Sequence, residues 1–245
     1  MKCVILAAGY ATRLYPLTEN FPKPLLKVGE KTILDWLLED IHTCGLVDEY
    51  IVISNHKFAH HFRAWADQHA LPITVVDDGT SSNETRLGAV CDIQFAIDQL
   101  KLADDLLIIA GDNVLDFSLV SFIRYAREKN TSCVMRYYEA DEKRLTKSGV
   151  AQIDENEVLL SLEEKPAKPK SHWCTPPFYF YKAEDIKRIK DAIADGCGTD
   201  APGSLVAWMC GHSVMHSMEM PGSRYDIGSL ESYQAVQENY RGITK

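Results

Sequence analysis

The chain has 245 residues, 46% of them hydrophobic and 25% charged, and a formal net charge of -9. This length can bury a large core and fits one large α/β domain about as well as two small ones. The net negative charge argues against a protein that binds nucleic acid non-specifically, because such binding needs a basic surface. No apolar run reaches the roughly 18 residues of a membrane span, so no membrane partner is expected.

The cysteines indicate a reducing compartment. There are seven of them, scattered without a CxxC pair. An odd, unpatterned set is typical of reduced thiols and not of a disulfide framework or a zinc site. The chain also starts with an apolar run that has no leading basic region, which does not resemble a signal peptide. We therefore expect a cytoplasmic protein.

In the opening stretch, Met1 to Asp35, the pattern predicts a strand, then a tight loop, and then basic residues that could bind an anion. Lys2 to Ala8 is an apolar run rich in β-branched residues, and Gly9 follows it. A loop that leaves a buried strand can turn backbone N–H groups toward an anion, and glycine permits the close approach or the positive φ this requires. Arg13 offers a forked cation, and Lys23 is stiffened by a proline on each side. Spacing alone leaves a phosphate site and ordinary surface cations equally open.

Helical and strand patterns alternate through the rest of the chain. Helices are predicted at Thr32 to Cys44, Phe58 to His69, Ala89 to Leu100, Ser118 to Lys129, Ala183 to Asp195 and after Asp226. Strands are predicted at Tyr50 to Ser54, Ile73 to Asp77, Leu106 to Ala110, Thr131 to Tyr138, Gly149 to Ile153, Val158 to Leu162, Phe178 to Tyr181 and around Val214 to Met218. This alternation predicts an α/β fold with a mainly parallel sheet covered on both faces.

Two clusters of polar residues raise the question of a metal. His56, His60 and His61 have the helical spacing of a metal site but no third ligand on the same face, so solvated or structural histidines are the alternative. Asp112 and Asn113 directly follow the predicted strand that ends at Ala110. A carboxylate at the carboxyl end of a parallel strand is where α/β proteins place ligand chemistry, and a hard oxygen ligand suits Mg²⁺.

The stretch LAAGYATRLYPLTENFPKPLLKVGEKTIL resembles the signature of the sugar-1-phosphate nucleotidylyltransferases, LAxGxGTRLxPxTxxxPKPLxPVxxKP. The positions that match are Leu6, Ala7, Gly9, Thr12, Arg13, Leu14, Pro16, Thr18, Pro22, Lys23, Pro24 and Leu25. Ala11 replaces the second glycine of the family loop, and Lys27 replaces the usual proline. If the position of Ala11 requires positive φ, the nucleotide pocket is strained.

The resemblance implies a Rossmann-like three-layer nucleotidyltransferase fold with a mixed, mainly parallel central sheet, and a set of site residues. The nucleotide-binding residues it implies are Leu6, Ala7, Ala8, Gly9, Tyr10, Ala11, Thr12, Arg13, Lys23 and Gly88. The implied substrate-binding residues are Asn113, Glu164 and Lys165, the implied Mg²⁺ ligands are Asp112 and Asp226, and the implied catalytic residues are Arg13, Lys23 and Lys165. For Asp226, a turn that merely caps the final helix is the alternative.

The resemblance also implies the reaction and the partners. It implies one nucleotidyltransferase domain over residues 1–245, in a short form without a β-helical C-terminal domain. The enzyme would transfer NMP from an NTP, with dTTP or UTP favoured, to a sugar 1-phosphate for nucleotide-sugar and cell-surface polysaccharide biosynthesis; a homo-oligomer is left open.

Two stretches depart from the family pattern and keep other functions open. Only Leu87, Gly88 and Ala89 match the segment that meets the base, and Trp173 to Pro177 lack the glycine common before the next strand. A cytidylyltransferase for a non-sugar phosphate such as phosphocholine, with an aromatic cage near Trp173, is one alternative. A non-catalytic regulatory subunit that binds nucleotide sugars is the other. The lack of a GxGxxG motif disfavours a Rossmann dehydrogenase.

Overall fold

A computed structural model describes residues 1–244. Contacts among Cα atoms divide them into two compact units. The first unit contains Met1–Arg86, Ile109–Ser121 and the chain from Pro221, and the second contains Leu87–Ile108 and Phe122–Met220. The assignment of the whole chain to one nucleotidyltransferase domain stays a prediction.

Strands and helices alternate through most of the described chain. The strands are β1 (Lys2–Leu6), β2 (Lys27–Val28), β3 (Lys31–Thr32), β4 (Glu49–Ser54), β5 (Ile73–Asp77), β6 (Leu106–Ala110), β7 (Asn113–Leu115), β8 (Ser132–Tyr138), β9 (Gly149–Ile153), β10 (Leu159–Glu164), β11 (Trp173–Thr175), β12 (Phe178–Tyr181), β13 (Met215–Glu219) and β14 (Arg224–Asp226). The α-helices are α1 (Ile33–His42), α2 (Ala59–Ala66), α3 (Ala89–Leu100), α4 (Val120–Lys129), α5 (Glu142–Leu145), α6 (Ala183–Ile186), α7 (Ile189–Ala194), α8 (Gly203–Met209) and α9 (Leu230–Asn239).

The first unit is built on parallel strands. β1 pairs with β4 and β4 with β5, both in parallel, and these strands carry fully buried residues such as Val4, Ile51 and Val52. Gly111 N donates to Leu6 O at 3.0 Å, so the chain leaving β6 passes beside the carboxyl end of β1. Residues that follow β1 and β6 therefore meet at one edge, where ligands of open parallel sheets bind.

Capping and a ribbon fix two further segments of the first unit. The side chain of Thr32 and that of Asp35 form a capping box at the start of α1, whose apolar face is buried. Gly45, with φ of 65°, accepts the left-handed backbone just after α1.

β7 and β14 pair antiparallel, with Asn113 opposite Asp226. This ribbon joins the segment after β6 to the segment before α9.

The second unit has a mixed sheet in the order β10-β9-β11-β8-β12, and β13 pairs with β8 in parallel. The pairs β10 with β9, β9 with β11 and β11 with β8 are antiparallel. A small apolar cluster of Leu145, Val150 and Cys174 lies beside them. β9 is flanked on both sides, so its first residue, Gly149, faces Glu164 on one neighbour and Thr175 on the other.

Most predicted elements are confirmed, and one differs. The helix predicted over Ala183 to Asp195 is two helices, α6 and α7, that break at Lys187 and Arg188. The helix α8 has no predicted counterpart in the sequence. Within residues 1–244, no helix combines the length and the apolar character needed to cross a membrane.

Candidate functional site

The loop after β1 is held by hydrogen bonds from its surroundings. Ala7 N donates to Ile53 O at 2.9 Å, and Asn55 Nδ2 donates to Ala8 O at 2.9 Å. Thr18, which is fully buried, donates from Oγ1 to Ala11 O at 2.8 Å. The backbone of the loop is therefore held in place by the surrounding protein.

Ala11 adopts the left-handed conformation, with φ of 47° and ψ of 42°. An L-residue with a Cβ pays about 1–2 kcal/mol for this conformation, which glycine adopts freely. The replacement of the family glycine by alanine therefore strains the loop. The hydrogen bond from Thr18 to Ala11 O helps to hold the strained residue in place.

Gly9 is exposed, and its φ is not in the left-handed region. A Cβ built on Gly9 meets no described atom within 4 Å. Neither backbone conformation nor packing in the described chain therefore requires glycine at this position. Close approach of a ligand to the backbone at Gly9 stays a prediction.

The other predicted loop residues divide into buried and exposed. Tyr10 is 5% exposed, and this burial raises the pKa of its hydroxyl. The hydroxyl donates to Thr80 O at 3.2 Å. Leu6 is half-buried at the end of β1. Thr12 and Arg13 are exposed in a short 3-10 helix. Of this group, Arg13 is the exposed cation.

Lys23 is a buried cation in the first unit. It lies in a 3-10 helix whose N-cap is Pro22, and it is 8% exposed. Its Nζ lies 2.8 Å from Asp112 Oδ2. Beside this pair, a Cβ on Gly111 would lie 3.3 Å from Pro24 Cγ, so the segment around Lys23 packs tightly against the end of β6.

Asp226 lies next to Asp112. It stands opposite Asn113 in the β7–β14 ribbon, and Ile227 N donates to Asp112 O at 3.3 Å. Although Asp226 is open to solvent on one side, loss of hydration raises its pKa, and the negative charge of Asp112 raises it further. The cations Arg13, Lys23 and Arg224 oppose this rise.

Arg13 completes this cluster. A Cβ on Gly228 would lie 4.0 Å from an Nη atom of Arg13 and 3.6 Å from Asp226 Oδ2. The N-cap of α9 is Ser229, whose side chain accepts from Ser232 N. Asp226 therefore does not cap the final helix, and the structure brings Arg13, Lys23, Asp112 and Asp226 together.

Asn113 is fully buried, and both ends of its amide are bonded. Its Nδ2 donates to Asp112 Oδ1 at 2.6 Å, and its Oδ1 accepts from an Nη atom of Arg224 at 2.7 Å. These bonds hold the Asp112 carboxylate in position. Contact of Asn113 with a substrate stays a prediction, and a positioning role agrees better with this burial.

The two carboxylates fit a hard divalent cation. The carboxylates of Asp112 and Asp226 lie close together, and a bound cation would relieve the repulsion that raises the pKa of Asp226. Among residues 1–244, no cluster of three or more His, Cys, Asp or Glu side chains could hold a metal. A cation here would complete its shell with ligand oxygens and water, as Mg²⁺ commonly does.

The histidine cluster has structural contacts. His56 Nδ1 lies 2.8 Å from Asp77 Oδ2, and His61 Nε2 lies 3.0 Å from Asn20 O. The rings of His60 and His61 are 4.0 Å apart. These contacts support the structural interpretation of the cluster.

Gly88 has a structural reason for being glycine. Its φ is 91°, and a Cβ on it would lie 2.6 Å from Thr199 O. Val90 N donates to the same carbonyl at 3.0 Å, so residues 199 and 200 cover the start of α3. Binding of nucleotide by Gly88 stays a prediction.

The second unit holds the remaining predicted residues. Glu164 ends β10, and burial raises the pKa of its carboxyl, which the charge of Lys165 opposes. Lys165 is exposed with φ of 49°, although it precedes Pro166, and its N donates to Ser148 O at 2.9 Å. A residue held in this conformation before proline is strained, as residues at functional sites often are.

Sequence reasoning missed the residues that support these groups. Asn55 fixes the loop backbone, Arg224 holds Asn113, and Gly203 makes room for Glu164. A Cβ on Gly203 would lie 1.7 Å from Glu164 Oε1. Of these three residues, only Asn55 could have been found from the sequence, because it is a polar residue directly after a buried strand.

A model of the family described as "Nucleotidyl transferase" matches residues 2–242. The chain belongs to the nucleotidyl transferase family. This confirms the family that the opening stretch predicts.

Two curated relatives are named as uridylyl- or thymidylyltransferases of glucose 1-phosphate. This nucleotidyl transferase is 24% identical to a UTP--glucose-1-phosphate uridylyltransferase of Synechocystis, over 97% of the chain and 63% of the relative. It is 28% identical to a glucose-1-phosphate thymidylyltransferase of Neisseria meningitidis, over 78% of the chain and 64% of the relative. The chain thus spans less than two thirds of the length of either curated relative.

A solved structure shows the fold. A Bacillus anthracis protein assigned as a glucose-1-phosphate thymidylyltransferase, in complex with sucrose, aligns with a TM-score of 0.84 and 22% identity. The alignment covers 100% of this nucleotidyl transferase and 97% of that chain. The predicted α/β nucleotidyltransferase fold with a mixed central sheet is confirmed.

Proposed function

We propose that this nucleotidyl transferase transfers NMP from an NTP to a sugar 1-phosphate, giving an NDP-sugar and pyrophosphate. The observation that carries the proposal is the cluster in the first unit. Two cations, Arg13 and Lys23, and two adjacent carboxylates, Asp112 and Asp226, lie beside a fixed glycine-containing loop. That arrangement suits a triphosphate and its metal.

The reaction explains why the cluster contains no nucleophile or general base. A phosphate oxygen of the acceptor attacks the α-phosphorus, and it is already an anion near neutral pH. The protein must bring two anions together and stabilise the charge that develops in line. We assign the triphosphate to Arg13 and the loop from Ala8, and the α-phosphate to Lys23.

The carboxylates of Asp112 and Asp226 would hold Mg²⁺. When bound, the cation neutralises phosphate charge and orients the phosphoryl oxygens. Asn113 keeps the Asp112 carboxylate turned toward this position by donating to Oδ1. Lys23 lies within hydrogen-bond distance of Oδ2 of the same carboxylate, so Asp112 also positions the Lys23 ammonium.

We assign the acceptor to residues of the second unit. The carboxylate of Glu164 would accept hydrogen bonds from sugar hydroxyls, and the exposed ammonium of Lys165 would contact the acceptor phosphate. The names of the curated relatives support glucose 1-phosphate as the first acceptor to test, with UTP or dTTP as donor.

The phosphocholine alternative is disfavoured by the ring contacts near Trp173. The guanidinium carbon of Arg136 lies 5.0 Å from the Trp173 ring centroid. The ring of Tyr138 stacks on His172 at 5.2 Å. A ring already covered by a cation is a poor wall for a quaternary-ammonium cage.

The regulatory-subunit alternative would be expected to lack catalytic groups. This chain keeps Arg13, Lys23, Asp112, Lys165 and Asp226. We also propose a cytoplasmic enzyme of nucleotide-sugar biosynthesis for cell-surface polysaccharide, because all seven cysteines are free thiols. A homo-oligomer remains open to a solution measurement.

A matrix assay tests the proposal. dTTP, UTP, CTP, GTP and ATP are each paired with several sugar 1-phosphates and with phosphocholine, and pyrophosphate release is measured with Mg²⁺ and with EDTA. We expect turnover with UTP or dTTP and a sugar phosphate, lost in EDTA. Faster turnover of phosphocholine would favour the cytidylyltransferase, and binding without product would favour the regulatory subunit.

A further inference from the structure

A groove in the second unit lies between the later half of α3 and the junction of α6 and α7. Its volume is about 330 Å³, which is within the range of small-molecule sites. From α3 and its C-cap it is lined by Gln94, Ile97, Asp98 and Lys101, whose helical spacing places them on one face. Because α7 packs against α3, both walls of the groove belong to the same unit.

The opposite wall of the groove comes from the point where α6 ends and α7 begins. Ile186 is the last residue of α6, and Lys187 and Lys190 lie one and four residues further along the chain. The side chains of both lysines are exposed, as is that of Lys101 on the first wall. Ammonium groups therefore border the groove from both sides.

The groove is bordered mainly by positive charge. Three lysines line it together with a single carboxylate, that of Asp98. Among residues 1–244, none of these four side chains has an ion pair or a hydrogen bond. Unpaired ammonium groups around a concave site attract an anion, and they do so here on a chain whose net charge is -9.

Gln94 supplies a second and independent indication of a ligand. It is 9% exposed, and its Oε1 is buried with no hydrogen-bond partner among residues 1–244. Leaving a buried polar atom unsatisfied destabilises a protein, so such an atom calls for an explanation. A terminal amide turns over a broad, two-fold range, so either end of Gln94 can face the groove. A ligand in the groove would supply the missing partner.

The two kinds of group define the chemistry of the ligand. Lysine ammonium groups only donate hydrogen bonds, and they bind phosphate oxygens as point charges. The Gln94 amide can donate from its NH₂ group, but its oxygen needs a donor. At neutral to mildly alkaline pH, hydrogenphosphate and hydroxylated phosphate esters carry both oxyanions and an O–H group, whereas sulfate carries oxyanions alone. The groove therefore suits the first class better than sulfate.

We propose that this groove binds a small phosphate anion that carries an O–H group. The three lysines hold the phosphate oxygens, and the O–H group donates to Gln94 Oε1. Free hydrogenphosphate and a phosphate monoester with hydroxyl groups share this chemistry. The inference goes beyond the proposed function and does not rest on it, because no groove residue is assigned to the NTP, the acceptor or the metal. The bound anion joins α3 to the α6–α7 junction and so stabilises the protein.

Two groove variants and one control test the proposal. The first variant combines Lys187→Gln and Lys190→Gln, which removes two charges at exposed positions. The second is Gln94→Met, which keeps an unbranched side chain of similar length and removes the amide. The control combines Lys143→Gln and Lys147→Gln, two exposed lysines of the same unit that do not line this groove and have no ion pair within residues 1–244.

Each protein is titrated calorimetrically with four probes at mildly alkaline pH and constant ionic strength. Inorganic phosphate and glycerol 3-phosphate carry an O–H group at this pH, whereas sulfate and methyl phosphate do not. Tm is measured with each probe, and amide hydrogen exchange reports whether residues 97–102 and 186–190 become protected. Phosphate that binds to Arg13 and Lys23 contributes equally in all proteins, so the differences between proteins report on the groove.

We expect the wild type to bind phosphate or glycerol 3-phosphate about 10-fold more tightly than sulfate and methyl phosphate, the effect of one hydrogen bond. The double lysine variant should lose at least about 10-fold in phosphate affinity. In Gln94→Met, phosphate should lose its advantage over sulfate. The control should bind all probes as the wild type does, and phosphate should raise the Tm of both.

The outcomes separate the sources of the anion and the failures. Tight binding of inorganic phosphate alone, or of glycerol 3-phosphate alone, supports the proposal and identifies the source. Equal binding of sulfate and phosphate to the wild type overturns it, as does wild-type affinity in the double lysine variant or an equal loss in the control. A merely structural Gln94 would change Tm and leave the affinity ratio unchanged, which also overturns it. Because these titrations need no turnover, failure of the pyrophosphate assay leaves them unaffected.

Discussion

Lys23 donates a hydrogen bond from Nζ to Asp112 Oδ2 at 2.8 Å, across 89 positions of sequence. The lysine is buried, whereas the carboxylate is half-exposed. Partial burial strengthens the Coulombic attraction between the two charges, and it also costs desolvation energy. The arrangement places a cation beside a carboxylate that we propose as a metal ligand.

Removal of either partner should slow catalysis. We expect Lys23→Ala and Asp112→Asn each to lower kcat by about two to three orders of magnitude, as for loss of one charged contact to the transition state. Pyrophosphate release under saturating substrates measures this. Lys2→Ala is the control, because it removes an ion pair with Glu49 from the surface of the same unit, 3.4 Å long. Wild-type rates in both site variants would contradict the proposed mechanism.

The left-handed Ala11 predicts a stabilising substitution. Ala11→Gly relieves about 1–2 kcal/mol of strain, and the greater freedom of glycine in the unfolded chain takes back about 0.4–1 kcal/mol. We expect a net gain of between zero and about 1.6 kcal/mol in the free energy of unfolding, measured with urea.

A matched control exists for this substitution. Lys101 has φ of 55° and ψ of 43° at the C-cap of α3, outside the loop, so Lys101→Gly should give a similar gain. A lower stability of Ala11→Gly than of the wild type would show that alanine is not strained there. We expect NTP affinity to be kept or improved, because glycine is the family residue at this position.

Gly9 and Gly88 should respond differently to alanine. Gly9→Ala should fold with unchanged Tm, since its Cβ enters open space, but should raise the KM for NTP by blocking close approach to the backbone. Gly88→Ala should lower Tm, because of its positive φ and the contact with Thr199 O at 2.6 Å. Thermal melts and NTP titrations separate the two effects. An unchanged NTP KM in Gly9→Ala would remove the phosphate role of the loop.

Asp226 should make stability depend on pH and on metal. Its folded-state pKa is raised, first by loss of hydration and then by Asp112, so the native state binds the proton more tightly than the unfolded state does. The contribution of Asp226 to stability should therefore be fully present below its unfolded pKa of about 3.9. This contribution should be lost as pH rises through the raised folded pKa.

Asp226→Asn separates this effect from the others. At neutral pH without metal, we expect this variant to have a higher Tm than the wild type, because the repulsion with Asp112 is gone. Mg²⁺ should raise the Tm of the wild type but not that of the variant, and the variant should lose activity. Equal responses of both proteins to Mg²⁺ would argue that Asp226 is not a ligand.

Elements with strong local signals could be predicted from the sequence alone. The apolar runs at Leu106–Ala110 and Phe178–Tyr181 and the helix Ala89–Leu100 have the predicted bounds, because burial pattern and capping are local properties. The opening stretch also predicted the family, because its residues match the family signature at fixed spacings. The nucleotide, metal and acceptor roles of individual residues were predicted there too, and they stay predictions.

The contacts between distant residues could not be predicted from the sequence and became visible in the fold. The pairing of Asn113 with Asp226 and that of Gly149 with Glu164 depend on strand register, which couples residues far apart in sequence. The sign of φ at Ala11 could not be read from the sequence either, because it follows from the hydrogen bond that Thr18 makes to its carbonyl and from the turn around it. Local patterns fix the elements of this chain, and long-range packing fixes its chemistry.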